Sequence, residues 1–176
     1  MNIPNPLSAA QISGYFAFAL GILAFLQKDD RRLRALVGLQ AFSYAVHFVL
    51  LGSIAAAVAS LVTTVRAVLS LYTRSPAAAI AILVVNVGLG FVTVRSAVGW
   101  LPVAASSAGT LAFFFFAGIP MRLVLLGSTG FWLANNLILG SIGGTLLELF
   151  IALANGTTCV RLSRAARRAR RDGRAS

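Results

Sequence analysis

Leu51-Gly52-Ser53-Ile54 recurs as Leu139-Gly140-Ser141-Ile142, 88 residues further along the chain. The same shift, without a gap, lays Gly21, Leu23, Ala24 and Phe25 on Gly109, Leu111, Ala112 and Phe113. It also lays Arg34 on Arg122, Tyr44 on Trp132 and Leu61 on Leu149. Chance supplies one such cluster among segments rich in leucine, alanine and glycine. Several clusters in one register indicate an internal repeat. Each copy of the tetrapeptide sits between two long apolar blocks, with glycine and serine acting as the breaker.

Those blocks decide the fold class. A membrane-crossing helix needs about 20 mostly apolar residues. Seven spans read this way: Ser8–Gln27, Leu33–Leu51, Ile54–Thr73, Ala77–Val94, Trp100–Ala117, Met121–Leu139 and Ile142–Leu162. They are apolar nearly all round, where helices of a soluble bundle would be amphipathic. Of the 176 residues, 59% are apolar and only 11% charged, against roughly 25% charged in soluble domains. Mean hydropathy is +0.88. The four acidic residues, Asp29, Asp30, Glu148 and Asp172, are too few to cover a water-facing surface. Lys28-Asp29-Asp30-Arg31-Arg32 reads as a charged turn, and Arg74-Ser75-Pro76 and Ile119-Pro120 read as breakers. Pro76, Pro102 and Pro120 fall near helix starts, where a missing N–H costs little. No basic residue precedes the first apolar run, so Met1 to Ala10 does not read as a cleavable signal peptide. The lone Cys159 has no internal disulfide partner.

The shift carries span one onto five, two onto six and three onto seven. Span four is left over. A shift of four spans preserves orientation, so the repeats are parallel, related by an axis along the membrane normal. The expected fold is therefore all-α and polytopic, a single membrane domain in a 3+1+3 plan. Residues 8–73 form the first three-helix bundle, 77–94 the linker helix, 100–162 the second bundle and 163–176 a basic tail. Three spans leave the chain on the wrong side of the membrane, and the linker returns it. Loops after the odd spans hold Lys28, Arg31, Arg32, Arg34, Arg74 and Arg122, and the tail holds seven more arginines. Loops after the even spans hold only Arg95. The positive-inside rule then puts the C-terminus in the cytoplasm and the N-terminus outside. The net charge of +11 is thus sorted by the membrane and does not point to nucleic acid.

A 3+1+3 plan with this orientation resembles the SWEET, PQ-loop and PnuC-type transporters. A more specific resemblance, over about 150 residues, is to the bacterial inner-membrane YgjV family. It is carried by Gln11 to Phe25, His47-Phe48, Leu51-Gly52, Arg66 to Ser75, Gly140-Ser141-Ile142-Gly143-Gly144-Thr145, Glu148 and Asn155-Gly156. The resemblance implies a multi-pass protein of the bacterial inner (cytoplasmic) membrane. The wider PQ-loop pattern is not followed, since Gln11 and Pro102 stand alone where that pattern has a Pro-Gln pair.

Ionisable side chains inside a bilayer are costly and mark cavities or partners. Glu148 stands six residues into span seven and Arg66 about twelve into span three. In the resembled transporters these spans line a central pocket. Together the two charges suit an amine-and-acid or hydroxylated ligand. Glu148 also qualifies as a proton carrier. The alternatives are a structural ion pair, or Arg66 reaching the cytoplasmic headgroups. Asn155, one heptad after Glu148, lies on the same face. It reads as a ligand contact or an interhelical hydrogen bond. Gln40, Ser43 and His47 share a stripe of span two. His47 falls on Asn135, with Asn136 beside it. These line a pocket or tie each bundle together. Asn86 reads as a bond from linker to bundle, and the glycines as close-packing sites. Phe113 to Phe116 cover every side of a helix and read as lipid-facing and packing surface.

The candidate solute-binding residues are Glu148, Arg66, Asn155, His47, Asn135 and Asn136. No metal cluster, cofactor motif, nucleophile elbow or phosphate loop is present, so an enzyme is not expected. The expected partners are the lipid bilayer, a small polar solute and a homo-oligomeric copy, with no nucleic acid. The expected function is a transporter of a small polar metabolite, using alternating access between the bundles and proton coupling through Glu148. A non-transporting receptor or assembly factor on the same scaffold is the alternative.

Overall fold

The computed structural model describes residues 5–25, 30–73, 75–116 and 118–172. Among these residues are seven α-helices and no strand: α1 (Ala9–Phe25), α2 (Asp30–Leu50), α3 (Ile54–Leu69), α4 (Pro76–Thr93), α5 (Trp100–Phe115), α6 (Gly118–Leu139) and α7 (Ile142–Asp172). A 3₁₀ turn, Ala97–Gly99, leads into α5. Each apolar block is thus one helix. Pro76 opens α4 at its first position, with Ser75 extended before it, as the residue preceding a proline prefers. Of the expected charged turn, Asp30, Arg31 and Arg32 already belong to α2. Lys28 and Asp29 lie outside the described residues, as do Gln27, Arg74, Ala117 and Arg174.

Two expected boundaries are corrected. α3 ends at Leu69, not Thr73, because the N–H groups of Leu71 and Tyr72 turn back to Val68 and Leu69 in tight three-residue loops. Arg66 therefore sits in the last helical turn. At the other end of the chain, the basic segment expected as a separate tail continues α7 without a break through Asp172. α7 has 31 residues, a length of about 46 Å at 1.5 Å per residue.

The repeated tetrapeptide is a repeated turn. Gly52 and Gly140 have φ of +75° and +67°, in the left-handed region. The N–H of Ser53 reaches the Phe48 carbonyl, and that of Ser141 reaches the Asn136 carbonyl, both at 2.9 Å. A glycine after the last helical turn followed by this six-to-one bond is the Schellman ending.

Around the molecule, α1 packs on α2, α2 on α3, α3 on α5, α5 on α6, α6 on α7 and α7 on α1, closing a ring. α4 stands on the α3–α5 seam, where the Asn86 amide donates to the Val103 carbonyl and the Ser107 hydroxyl at 3.0 and 2.9 Å. The expectation for Asn86 holds. The ring interior is filled: Phe48 stacks on Trp132 with centroids 5.6 Å apart and on Tyr44 at 5.4 Å, over Ala17, Ala56, Ala57 and Leu147. Large apolar side chains face outward on every helix, including Phe16, Val65, Val84, Phe91 and Leu153, as lipid requires. Three helical stretches, Pro76–Thr93, Ala97–Phe115 and Ile142–Arg164, are long and apolar enough to cross a membrane, and Ala9–Ala24, Arg34–Leu50 and Ile54–Leu69 are shorter apolar helices. α6 is 22 residues long, but Arg122 and the pair Asn135-Asn136 dilute it.

Candidate functional site

Polar side chains inside the ring gather between α6 and α7. These helices run antiparallel, and three pairs face each other across them. Arg122 Nη1 donates to Asn155 Oδ1 at 3.1 Å. Seven residues after Arg122 and seven before Asn155, Thr129 and Glu148 are neighbours across the two helices. Seven further, Asn136 and Ser141 both border Gly144, where a Cβ would lie 2.5 Å from Asn136 Oδ1 and from Ser141 Oγ. A heptad returns a residue to nearly the same helix face, so the pairs form a ladder of three rungs. The corresponding positions of α2 and α3 are Arg34, Ala41 and Phe48 against Ala67, Ser60 and Ser53. The hairpins share a register, but only the second carries a buried carboxylate.

Glu148 is 6% exposed. Beside Thr129, the phenol of Tyr44 lies within electrostatic reach from α2 and has no hydrogen-bond partner. Among the described residues no cation pairs with Glu148. The expected neighbour, Arg66, is elsewhere. Its guanidinium lies over the Phe113 ring at 5.3 Å and against Gly109, where any Cβ would strike it. Both partners belong to α5. The heptad and ring geometry put α3 and α7 across the ring from each other, and Arg66 turns to its nearer neighbour. Gly109, expected to let helices approach, makes room for a cation. Phe113, read as lipid-facing and packing surface, is exposed on one side and packs on that cation with the other.

His47 is buried in a network tying three helices. Its Nδ1 donates to the Ala10 carbonyl at 2.6 Å, since a carbonyl only accepts. Its Nε2 then accepts from the Ser141 hydroxyl at 2.7 Å, and Ser141 Oγ accepts the Gly144 N–H at 3.1 Å as the cap of α7. Both ring nitrogens are spent on holding α1, α2 and α7 together. Gln11 makes a second clamp on the same turn. Its Nε2 donates to the Gly140 carbonyl at 2.7 Å, and its Oε1 accepts the Ile142 N–H at 3.0 Å. Asn155, occupied by Arg122, also serves as a helix tie. Arg34 does the equivalent work in the first hairpin, where Nη1 donates to the Ser70 carbonyl at 2.5 Å and satisfies an end group of α3.

Asn135 and Asn136 are not satisfied in this way. Asn135 Nδ2 and both polar atoms of the Asn136 carboxamide are buried without a partner. Asn136 borders a cleft of about 280 Å³ at the α6–α7 turn, with Ser141, Thr145, Leu137 and Leu146. Buried polar groups without partners are rare in folded proteins. The Tyr44 hydroxyl and, on the α5 side, Arg66 Nη1 are likewise buried without a partner. Thr129, Gln11, Ser141 and Tyr44 were not among the sequence candidates. The heptad spacing of Arg122, Thr129 and Asn136 against Ser141, Glu148 and Asn155 was the signal that finds Thr129.

A family model described as bacterial inner membrane protein, Imp-YgjV, matches residues 8–166. The inner membrane protein YgjV of Escherichia coli (strain K12) is 34% identical over 159 residues, covering 90% of this chain and 87% of that one. No solved structure matches the chain.

Proposed function

The chain belongs to the Imp-YgjV family of bacterial inner membrane proteins, and on that premise we propose that it carries a small polar solute across that membrane by alternating access. The observation that carries this reading is Glu148, a carboxylate buried in a membrane helix, faced by two hydroxyls and by no cation among the described residues. A group this costly in lipid is kept for a partner or a proton. In this reading the moving units are two three-helix bundles, 8–73 and 100–162, in a 3+1+3 plan with the N-terminus outside. The paired Schellman turns at Gly52 and Gly140 support it. So do Arg34, bonded to Ser70 at the end of α3, and Arg122, bonded to Asn155 on α7. The two ring seams, α1 on α7 and α3 on α5, exchange under the 88-residue shift. Glu148 would carry the coupling proton.

Purified protein in liposomes, offered a panel of polar metabolites under an imposed proton gradient, tests the proposal. Uptake of at least one solute is expected. Glu148→Gln should abolish gradient-driven accumulation while leaving exchange of that solute at equal pH. The proposal fails if no solute enters and if Glu148→Gln and Arg66→Ala leave the cellular phenotype intact.

A receptor or assembly factor on the same scaffold is the second reading, favoured by the aromatic filling of the ring at Phe48 and Trp132. Cysteine placed at Leu147, in a background lacking Cys159, separates the two. A carrier exposes it to a water-soluble thiol reagent during turnover, and a static scaffold does not.

A further inference from the structure

Arg66 differs from the other arginines bonded inside this molecule. Arg34 rests on the Ser70 carbonyl and Arg122 on the Asn155 amide. Arg66 is only 6% exposed, and its Nη1 is buried with no acceptor at all. Guanidinium is permanently charged and presents a fork of N–H groups suited to two oxygens at once. Phe113 satisfies the ring face of this fork and none of its N–H groups.

The surroundings select what is missing. The chain has four acidic residues, and Glu148, the buried one among the described residues, lies beside Thr129 on α6. The α3–α5 seam offers hydroxyls instead. One turn toward the helix N-termini from Arg66 and Gly109, Thr63 Oγ1 and Ser106 Oγ lie 3.2 Å apart. Thr110, next to Gly109, is fully buried. The Thr63 hydroxyl donates to the Ala59 carbonyl, so in this contact Ser106 is the donor, and its rotor can turn toward a guest without moving its oxygen. Gly109 keeps this wall free of a side chain. One fixed cation, a rotatable Ser106 hydroxyl held beside Thr63 and no carboxylate make an anion's environment.

We infer that Arg66, with Thr63, Ser106 and Gly109, forms an oxyanion subsite that takes the carboxylate of a small organic anion. The inference rests on the carrier reading above and names its substrate class. The solute carries a net negative charge, and Arg66 is a binding residue rather than a topological anchor.

The test uses the full chain in phosphatidylcholine nanodiscs, with heat unfolding as the readout. The probes are acetate, lactate and glycolate, each paired with its neutral amide at equal ionic strength. At least one carboxylate should raise the unfolding midpoint, and its amide should not. Arg66→Met should weaken that binding on the order of 100-fold, the loss of a charge-assisted pair. Arg66→Lys should restore part of it. If Arg66→Met does not fold, Gly109→Ala, which pushes the guanidinium aside, should weaken binding in the same direction. Binding of an amide as tight as its carboxylate, or binding indifferent to these variants, overturns the inference. So does stabilisation through Arg66 by phosphatidylglycerol discs alone, which would make the anion a lipid headgroup. Liposome uptake of neutral solutes that is equal in wild type and Arg66→Met leaves the carrier standing and removes the anion. Absence of binding and uptake for both classes removes both.

Discussion

Substituting Gly143 by alanine isolates what holds the α1–α7 seam together. A Cβ built on Gly143 would lie 2.6 Å from both the carbonyl carbon and oxygen of Gly14 and 2.9 Å from the Tyr15 nitrogen. The nearest of these falls about 0.8 Å short of the 3.4 Å at which ordinary van der Waals contact begins. The obstacle is backbone, so no rotamer change relieves it, and the two helices must part. Overpacking of this kind costs about 1–3 kcal/mol. Separation also lengthens the bonds of Gln11 to Gly140 and Ile142, which span the same seam, and that puts the expected loss at the upper end, about 3 kcal/mol. Gly130→Ala is the control, because nothing lies within 4 Å of its Cβ. That substitution should be neutral, or stabilising by up to about 1 kcal/mol through helix propensity. Gly21→Ala should fall between, since its Cβ meets the flexible end of the Leu147 side chain at 2.7 Å. Reversible unfolding of the purified protein in mixed micelles measures all three. A Gly143→Ala protein as stable as Gly130→Ala would refute the close-packed seam.

Gln11→Leu should leave the Gly140 carbonyl and Ile142 N–H unpaired in a buried setting and cost roughly 2–4 kcal/mol in the same assay; no loss would mean that water replaces the clamp. Gly52→Ala should cost about 1 kcal/mol through its positive φ alone, since nothing lies within 4 Å of the new methyl. Larger losses there would point to a hidden contact. Arg122→Ala and Asn155→Ala should be non-additive by about 0.5–2 kcal/mol in a double-mutant cycle, and additivity would deny the rung between them.

The apolar blocks and their punctuation were legible because lipid imposes one rule on every helix: nearly continuous apolar sequence, broken only at turns. The repeated Leu-Gly-Ser-Ile was legible for a local reason, since a Schellman ending needs glycine just past the helix. What escaped was set by contacts between distant segments. Gln11 and Gly140 are separated by 129 positions, and nothing near Gln11 announces that a turn will arrive beside it. Arg66 stands twelve residues into α3, as expected, but in its last turn, because the chain turns at residues 70–73 before Pro76. Phe113 was legible as lipid-facing and packing surface, but its contact with Arg66 depends on a side chain from another helix. Thr129 was passed over because membrane threonines commonly bond their own helix, as Thr63 and Thr110 do to Ala59 and Ser106.

The spacing of the α6–α7 ladder has a mechanical meaning. Residues seven apart fall about 20° short of two full turns. Three successive pairs stay opposed only if both helices lag by the same angle and coil leftward around each other. Arg122–Asn155, Thr129–Glu148 and Asn136–Ser141 thus share one phase. A single-residue insertion in α6 at Val124, between the first and second pairs, would rotate everything beyond it by about 100°. It would turn Thr129 and Asn136 away from Glu148 and Ser141 together while sparing Arg122. The hairpin keeps time as a unit, and Glu148 cannot be turned toward a new partner without Asn136 turning with it.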